Sequence, residues 1–157
     1  MAVEFQDFSF EVKGELNEKS IAWLRTWSNE IASKARDTVQ MDGPNGEQLH
    51  KSYRADVNEG AGVAQIGTPL ESGYWEEYGT GEYAVHGDGR KGWWVYKDGY
   101  QGNGGKVLTE AEAKAIAATD PSLHASNGRE PSHTLEKAFI VTKPKAIADF
   151  ERIMRGL

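Results

Sequence analysis

The stretch HGDGRKGWWVYKDG, which begins at His86, holds Gly87, Gly89 and Gly92 in the spacing G-x-G-x-x-G. In a dinucleotide-binding unit such glycines follow a strand and open a helix, whose N-terminal N–H groups and dipole hold the phosphates. The residues that follow here, WWVYKDG, are β-prone and then turn-like. The spacing therefore predicts a flexible arm or hairpin, not a phosphate cradle. His86-Gly87-Asp88 is the nearest approach to a metal-ligand pair, and a small hydrolase would have to work with His86 and Asp88. No two of His50, His86, His124 and His133 stand at hairpin or one-turn spacing, so no metal site is expected. Glu76 and Glu77 are adjacent carboxylates. A glycosidase needs two carboxyl groups facing each other ~5–9 Å apart, and neighbours on one helix diverge. Trp75, Trp93, Trp94, Tyr96 and Tyr100 have the chemistry to stack on sugars, or to form core and interface. There is no G-x-S-x-G elbow for a serine nucleophile. The chemistry-bearing residues point to a protein without catalysis and without a cofactor.

Composition narrows the classes further. The chain has 157 residues, enough for one domain with a real core, and no cysteine, which excludes disulfide frameworks and thiolate metal sites. A formal net charge of −6 argues against a groove-binding nucleic-acid partner, because such affinity needs clustered Lys and Arg. The first residues, MAVEFQDFSFEVKGEL, carry acids throughout and no apolar core of signal-peptide length. No stretch approaches the ~20 apolar residues that cross a bilayer. The expectation is a soluble chain of cytoplasmic origin. The 18 glycines cluster between Gly43 and Gly105, which predicts a turn-rich middle.

The elements that must position these residues follow from periodicity. Phe8, Phe10 and Val12 alternate with polar residues, which predicts a strand ended by Gly14. Asn17 is a good N-cap for a long helix to about Val39, with Ile21, Leu24, Ser28, Ile31, Ala35 and Val39 on one face. Trp27 widens that face. Trp23 falls off it and is read either as lying on the surface or under a loop, or as an anchor for another subunit. MDGPNGEQ reads as a loop. Tyr53 to Asn58 and Val63 to Gly67 read as a hairpin turning at Glu59–Gly62. Leu70 to Tyr78 reads as a short helix stopped by Gly79. Trp93–Tyr96 is strand-like, with a turn at Lys97-Asp98-Gly99. Thr109 and Glu112 form a capping box on an alanine-rich helix that ends at Asp120-Pro121. Ser132 to Thr142 reads as a helix with Leu135, Ala138 and Phe139 inward. Pro144 opens a last helix with Ile147, Phe150 and Met154 on one face, Arg152 and Arg155 in its final turn and Gly156 as its stop. The fold class is α+β. A long N-terminal helix and C-terminal helices pack on one face of a small antiparallel sheet, in a single domain over 1–157 with a glycine-rich, loop-rich insertion at 82–130.

Two stretches are more specific than any chemical motif: GYWEEYGTGEY, from Gly73 to Tyr83, and GREPSHTLEKAF, from Gly128 to Phe139. An aromatic-rich short helix ends in E-Y-G-T-G. A variable loop then leads to a helix opened by a Pro and carrying L-x-x-A. Ahead of these stand a long helix, L-x-x-S at Leu49–Ser52 and a hairpin with V-x-Q-I-G. From about Asn17 onward, the chain resembles the small head–tail joining proteins of long-tailed bacteriophages, also described as tail-completion, tail-terminator or neck proteins. Two departures stand out. Thr134 occupies a position where that family often has Phe, and the insert between Gly81 and Pro131 is long.

The resemblance implies a structural virion protein, assembled in the cytoplasm of the host bacterium. Its subunits would form a ring, commonly a homo-hexamer, between the connector or stopper and the tail tube. DNA would pass through the lumen without sequence-specific binding, and no membrane is involved. The residues this reading assigns to the junction are Trp75, Glu77, Tyr78, Gly79, Thr80 and Gly81. Arg90, Lys91, Trp93 and Trp94 would sit in a loop that reaches a neighbour, and Trp23 would be a further interface candidate. The alternative is a ligand- or carbohydrate-binding module that uses the Trp/Tyr cluster.

Overall fold

The computed structural model describes residues 9–39, 46–97 and 106–156. Helix α1 (Ser9–Thr38) is the backbone of the fold. It buries Ser28, Ile31, Ala32 and Ala35, the face its 3.6-residue period marks, and Val39 just past its end is buried with them. The short helix α2 (Gly46–Ser52) follows and inserts Leu49 into the same core. Strands β1 (Arg54–Asn58) and β2 (Val63–Gly67) form an antiparallel hairpin in which Arg54 faces Gly67 and Asn58 faces Val63. Their half-buried residues, Ala55, Val57, Ala64 and Ile66, alternate with exposed ones, as a one-sided hairpin against α1 requires. Helix α3 (Glu71–Tyr78) leads through strand β3 (Thr80–Gly81) into the insertion. There strand β4 (Trp94–Lys97), helix α4 (Glu110–Ala117) and strand β5 (Leu123–Ser126) pack together, with Ala113 of α4 fully buried. Strand β6 (Gly128–Arg129) returns the chain to β3, and helix α5 (Thr134–Arg155) closes the fold against α1.

The core lies where α1, α2 and α5 meet. Ile31, Ala35, Val39, Leu49, Tyr53 and Ala138 form it, and Ile66, Leu70 and Leu135 seal its edge. Ala35 and Ala138, small and fully buried members of this cluster, let α1 and α5 approach closely. Farther along the pair, the Trp23 indole N–H donates to the Ala146 carbonyl (2.9 Å), and its ring tilts against Phe150. The Trp27 indole N–H donates to Asp149 (2.9 Å), and with Arg152 it holds that carboxyl below its ordinary range. Trp23 therefore lies neither on the open surface nor under a loop. It is half-buried in the α1–α5 contact, with its polar group used inside the chain.

The α+β class holds, with corrections to its parts. The strand expected at Phe8–Val12 is absent from Ser9 on, where the chain is already helical; Phe8 lies outside the described residues. Gly14 and Asn17 are helix-interior positions, not a stop and a cap. Once α1 is nucleated, each added residue gains a hydrogen bond, which outweighs the ~1 kcal/mol that a glycine costs. The loop MDGPNGEQ is helical from Gly46 on, and its earlier residues lie outside the described ones. Among the described residues the strands form three separate antiparallel pairs, β1–β2, β3–β6 and β4–β5, in place of one small sheet. The two C-terminal helices are one, with Pro144 in its interior. Phe139 is exposed, not inward, and Ile147 and Met154 are exposed as well. Within the insertion, β4, α4 and β5 give structure to a segment expected to be mostly loop, although the Trp93–Tyr96 strand and the Thr109 helix were both foreseen. Asp98, Gly99 and Tyr100 fall outside the described residues.

Candidate functional site

The stretches GYWEEYGTGEY and GREPSHTLEKAF are far apart in sequence and form one junction in space. Strand β3 pairs with β6, so Thr80 faces Arg129 and Gly81 faces Gly128. The Thr80 hydroxyl accepts from the Arg129 N–H (3.0 Å). The Ser132 N–H donates to the Glu76 carbonyl (2.8 Å), which ties the segment before α5 to α3.

Two consecutive carboxylates of α3 turn inward here. Helix α5 begins at His133, a left-handed residue (φ 51°, ψ 45°) whose side chain makes no cap. Its first free N–H groups are satisfied from α3: Leu135 and Glu136 donate to the two oxygens of Glu77, at 2.7 and 3.0 Å. This is N-capping across the fold, and the buried carboxylate also meets the positive end of the helix dipole. Glu76 is 2% exposed and pairs with Arg129 (3.1 Å). Its other oxygen, the Tyr53 hydroxyl and the Thr134 hydroxyl are buried, with no hydrogen-bond partner among the described residues. Burial first, then the charges of Glu77 and Glu76, push the Tyr53 hydroxyl up to about 12. The cluster thus couples α2's end, α3 and α5.

Gly79 and Gly81 are required by position as well as by dihedral angle. Gly79 (φ 73°) closes α3 by donating to the Trp75 carbonyl (2.8 Å). A Cβ on Gly81 (φ 61°) would sit 2.2 Å from the Asn127 carbonyl oxygen and 2.7 Å from the Trp94 ring. These close approaches let two backbones and an indole share the space beside β3.

The aromatic residues named from sequence divide into separate places. Trp75 and Tyr78 lie on the exposed side of α3, where Tyr78 meets Tyr74 and His86 (4.9 and 4.8 Å between ring centres). Trp93 and Trp94 belong to the insertion. Trp93 bridges Leu108, and Lys114 lies over its ring; Arg90 lies over Trp94. Lys91 is exposed. Strand β4, not a helix, follows the three-glycine run. Gly92 instead donates to Glu82 (3.1 Å).

Sequence spacing alone missed one ligand-like set. Glu77, His133 and Glu136 each bring one ligand atom within 4.8 Å of the others. Both oxygens of Glu77 already accept backbone N–H groups at a positive helix end, which opposes a cation; the geometry is that of a cap. A cleft of about 290 Å³ opens beside the junction, lined by Thr38, Arg129, Glu130, Pro131, Ser132 and Lys137. It is shallow and polar, unlike the enclosed apolar pockets that take small molecules. No helix among the described residues is long and apolar enough to cross a membrane. No protein family, curated protein or solved structure matches the chain.

Proposed function

We propose that this chain is a non-enzymatic, ring-forming subunit of the neck of a long-tailed bacteriophage, a tail-terminator or tail-completion protein that joins the tail tube to the head connector. The observation that carries the reading is the junction itself. The two stretches on which the resemblance rests, separated by the whole insertion, meet through β3–β6 pairing and the Glu76 and Glu77 contacts. A signature split over two segments is what one shared structural unit would leave in a sequence.

In this reading Glu77, Gly79, Thr80 and Gly81 hold the junction rigid. Trp75 and Tyr78 beside it, and Arg90, Lys91, Trp93 and Trp94 in the following segment, present a surface to a neighbouring subunit. Contacts between two different faces close into a ring when the rotation permits, commonly with six copies. Net negative charge suits a lumen through which DNA slides without sticking. The partners are the connector or stopper and the tail-tube protein, and the location is the virion.

Negative-stain images and sedimentation of the purified protein, alone and with the connector and tail-tube proteins of the same phage, test this. Rings, or a stoichiometric complex with either partner, are expected. A particle that stays monomeric with both supplied overturns the reading. Tryptophan fluorescence titrated with a glycan panel separates the carbohydrate-binding alternative: no saturable change is expected.

A further inference from the structure

Helix α5 buries Thr134, Ala138, Thr142 and Ala146 against the body of the fold. At ~100° per residue, Ile140, Lys143, Ile147, Glu151 and Met154 all fall on the opposite side. The three apolar members are 58%, 47% and 44% exposed, and the two charged ones are exposed as well. Ile140, Ile147 and Met154 recur at heptad spacing, the repeat of a helix that packs on another helix. Among the described residues, none covers this stripe.

We propose that the stripe is the contact for a second copy of this chain, with the two α5 helices antiparallel about a two-fold axis at Ile147. The charges choose both the occupant and the direction. In the antiparallel pairing, residues equally distant from Ile147 meet. Ile140 then meets Met154 of the second copy, and Lys143 meets its Glu151, so each end of the contact has an apolar pair and an opposite-charge pair. A parallel pairing would set Lys143 against Lys143 and Glu151 against Glu151, which is repulsive. Among the described residues of one subunit, Glu151 pairs with the exposed Arg155 at 3.6 Å, and Lys143 lies over the Phe139 ring at 5.8 Å. Both are loose contacts that a closer partner replaces. The contact is self-complementary, as a two-fold interface must be. It goes beyond the ring reading, because a two-fold α5 contact and a head-to-tail ring contact can each exist without the other.

The chain has no cysteine, which makes the test clean. Ile147→Cys, mildly oxidised, is expected to form a disulfide-linked homodimer far faster than Ile116→Cys, placed on exposed α4 as a control. Sedimentation from ~1 µM to ~1 mM is expected to show the pairing in the unmodified chain. Lys143→Glu and Glu151→Lys are each expected to raise its dissociation constant about tenfold or more, and the two together to restore it to within about threefold. All these positions are solvent-exposed, so the variants fold. Crosslinking of Ile147→Cys no faster than the control overturns the proposal, as does a double variant no better than the single ones. Rings without the Ile147 crosslink would remove this proposal and leave the ring reading standing; the crosslink without rings would do the reverse.

Discussion

Helices α4 and α5 start in opposite ways. α4 is capped from its own first turn: the Glu112 N–H donates to the Thr109 hydroxyl (3.3 Å), and Glu112 accepts from the Thr109 N–H (2.8 Å). Everything in that device is exposed and lies within four consecutive residues. α5 has no cap of its own. Glu77, 58 residues before Leu135, supplies both acceptors from a buried position. A local cap stabilises a helix that would start there anyway. A remote cap makes the helix start depend on the tertiary fold, so the start of α5 and the end of α3 form together or not at all. The resemblance-bearing residues sit at the second kind of start.

The sharpest way to break this contrast is at the glycines that let the junction close. Gly81 and Gly62 have nearly the same φ, 61° and 65°, but a Cβ on Gly62 meets nothing within 4 Å. Gly62→Ala is expected to cost only the left-handed strain, about 1 kcal/mol. Gly81→Ala adds a collision with the Asn127 carbonyl and is expected to cost about 4 kcal/mol or to abolish folding. Urea denaturation of the pair measures the difference. Equal losses would mean that the junction is not the tight point of the fold.

Removing the remote cap comes next. Glu77→Ala removes the acceptors of the part-buried Leu135 and Glu136 N–H groups at the positive end of α5 and is expected to cost about 2–3 kcal/mol. Glu77→Gln keeps one oxygen acceptor and is expected to lose about half of that. Amide exchange at Leu135 and Glu136 should rise in the same order. If the two amides stay protected in Glu77→Ala, the cap is not what holds them.

The contrast also explains what was legible in the sequence. The Thr109 box, the hairpin with its turn at Glu59–Gly62 and the buried face of α1 are short-range patterns, and each is readable in the sequence. The packing of Trp23 is not legible in the sequence, because its partner, Ala146, belongs to a helix that packs on it from the far end of the chain. The strand at Phe8–Val12 was misread because alternation over so few residues does not outweigh the extension of a long helix. Pro144 was read as a first-turn residue because a proline inside a helix loses a hydrogen bond, a loss that α5 accepts. Glu76 and Glu77 stand out in the sequence only as an adjacent pair. Their separate roles, one capping α5 and one pairing with Arg129, depend on a strand pairing that no local pattern announces. What the resemblance supplied was the two stretches; what the structure adds is that they touch.

The buried polar cluster gives the junction its own pH signature. The Tyr53 hydroxyl is pushed up to about 12, while the unfolded chain's tyrosine stays near 10. The folded state therefore holds this proton more tightly. The stability that follows is fully present below about pH 10 and is lost as pH rises toward about 12, amounting to about 3 kcal/mol. Tyr53→Phe is expected to flatten this alkaline limb. It should change stability at neutral pH by less than about 1 kcal/mol, because the hydroxyl it removes has no partner among the described residues. An alkaline limb unchanged in Tyr53→Phe would assign it to another group.

The smallest effect belongs to the local cap. Thr109→Ala is expected to cost about 0.5–1 kcal/mol, the usual loss for an exposed cap. Hydrogen bonds from Thr109, first its backbone N–H and then its hydroxyl, hold the Glu112 carboxyl below its ordinary value. Its contribution is therefore present above the unfolded carboxylate range and lost as pH falls through the lowered value. Thr109→Ala leaves the backbone half of that hold, so it should move the Glu112 titration only partway back. NMR titration of the Glu112 side chain, alongside amide exchange across α4 and α5, reads both consequences. Local fraying of α4 with α5 unaffected is the result that a self-contained helix start requires. Loosening of α5 in Thr109→Ala would mean that the two starts are coupled and that the division drawn between them is false.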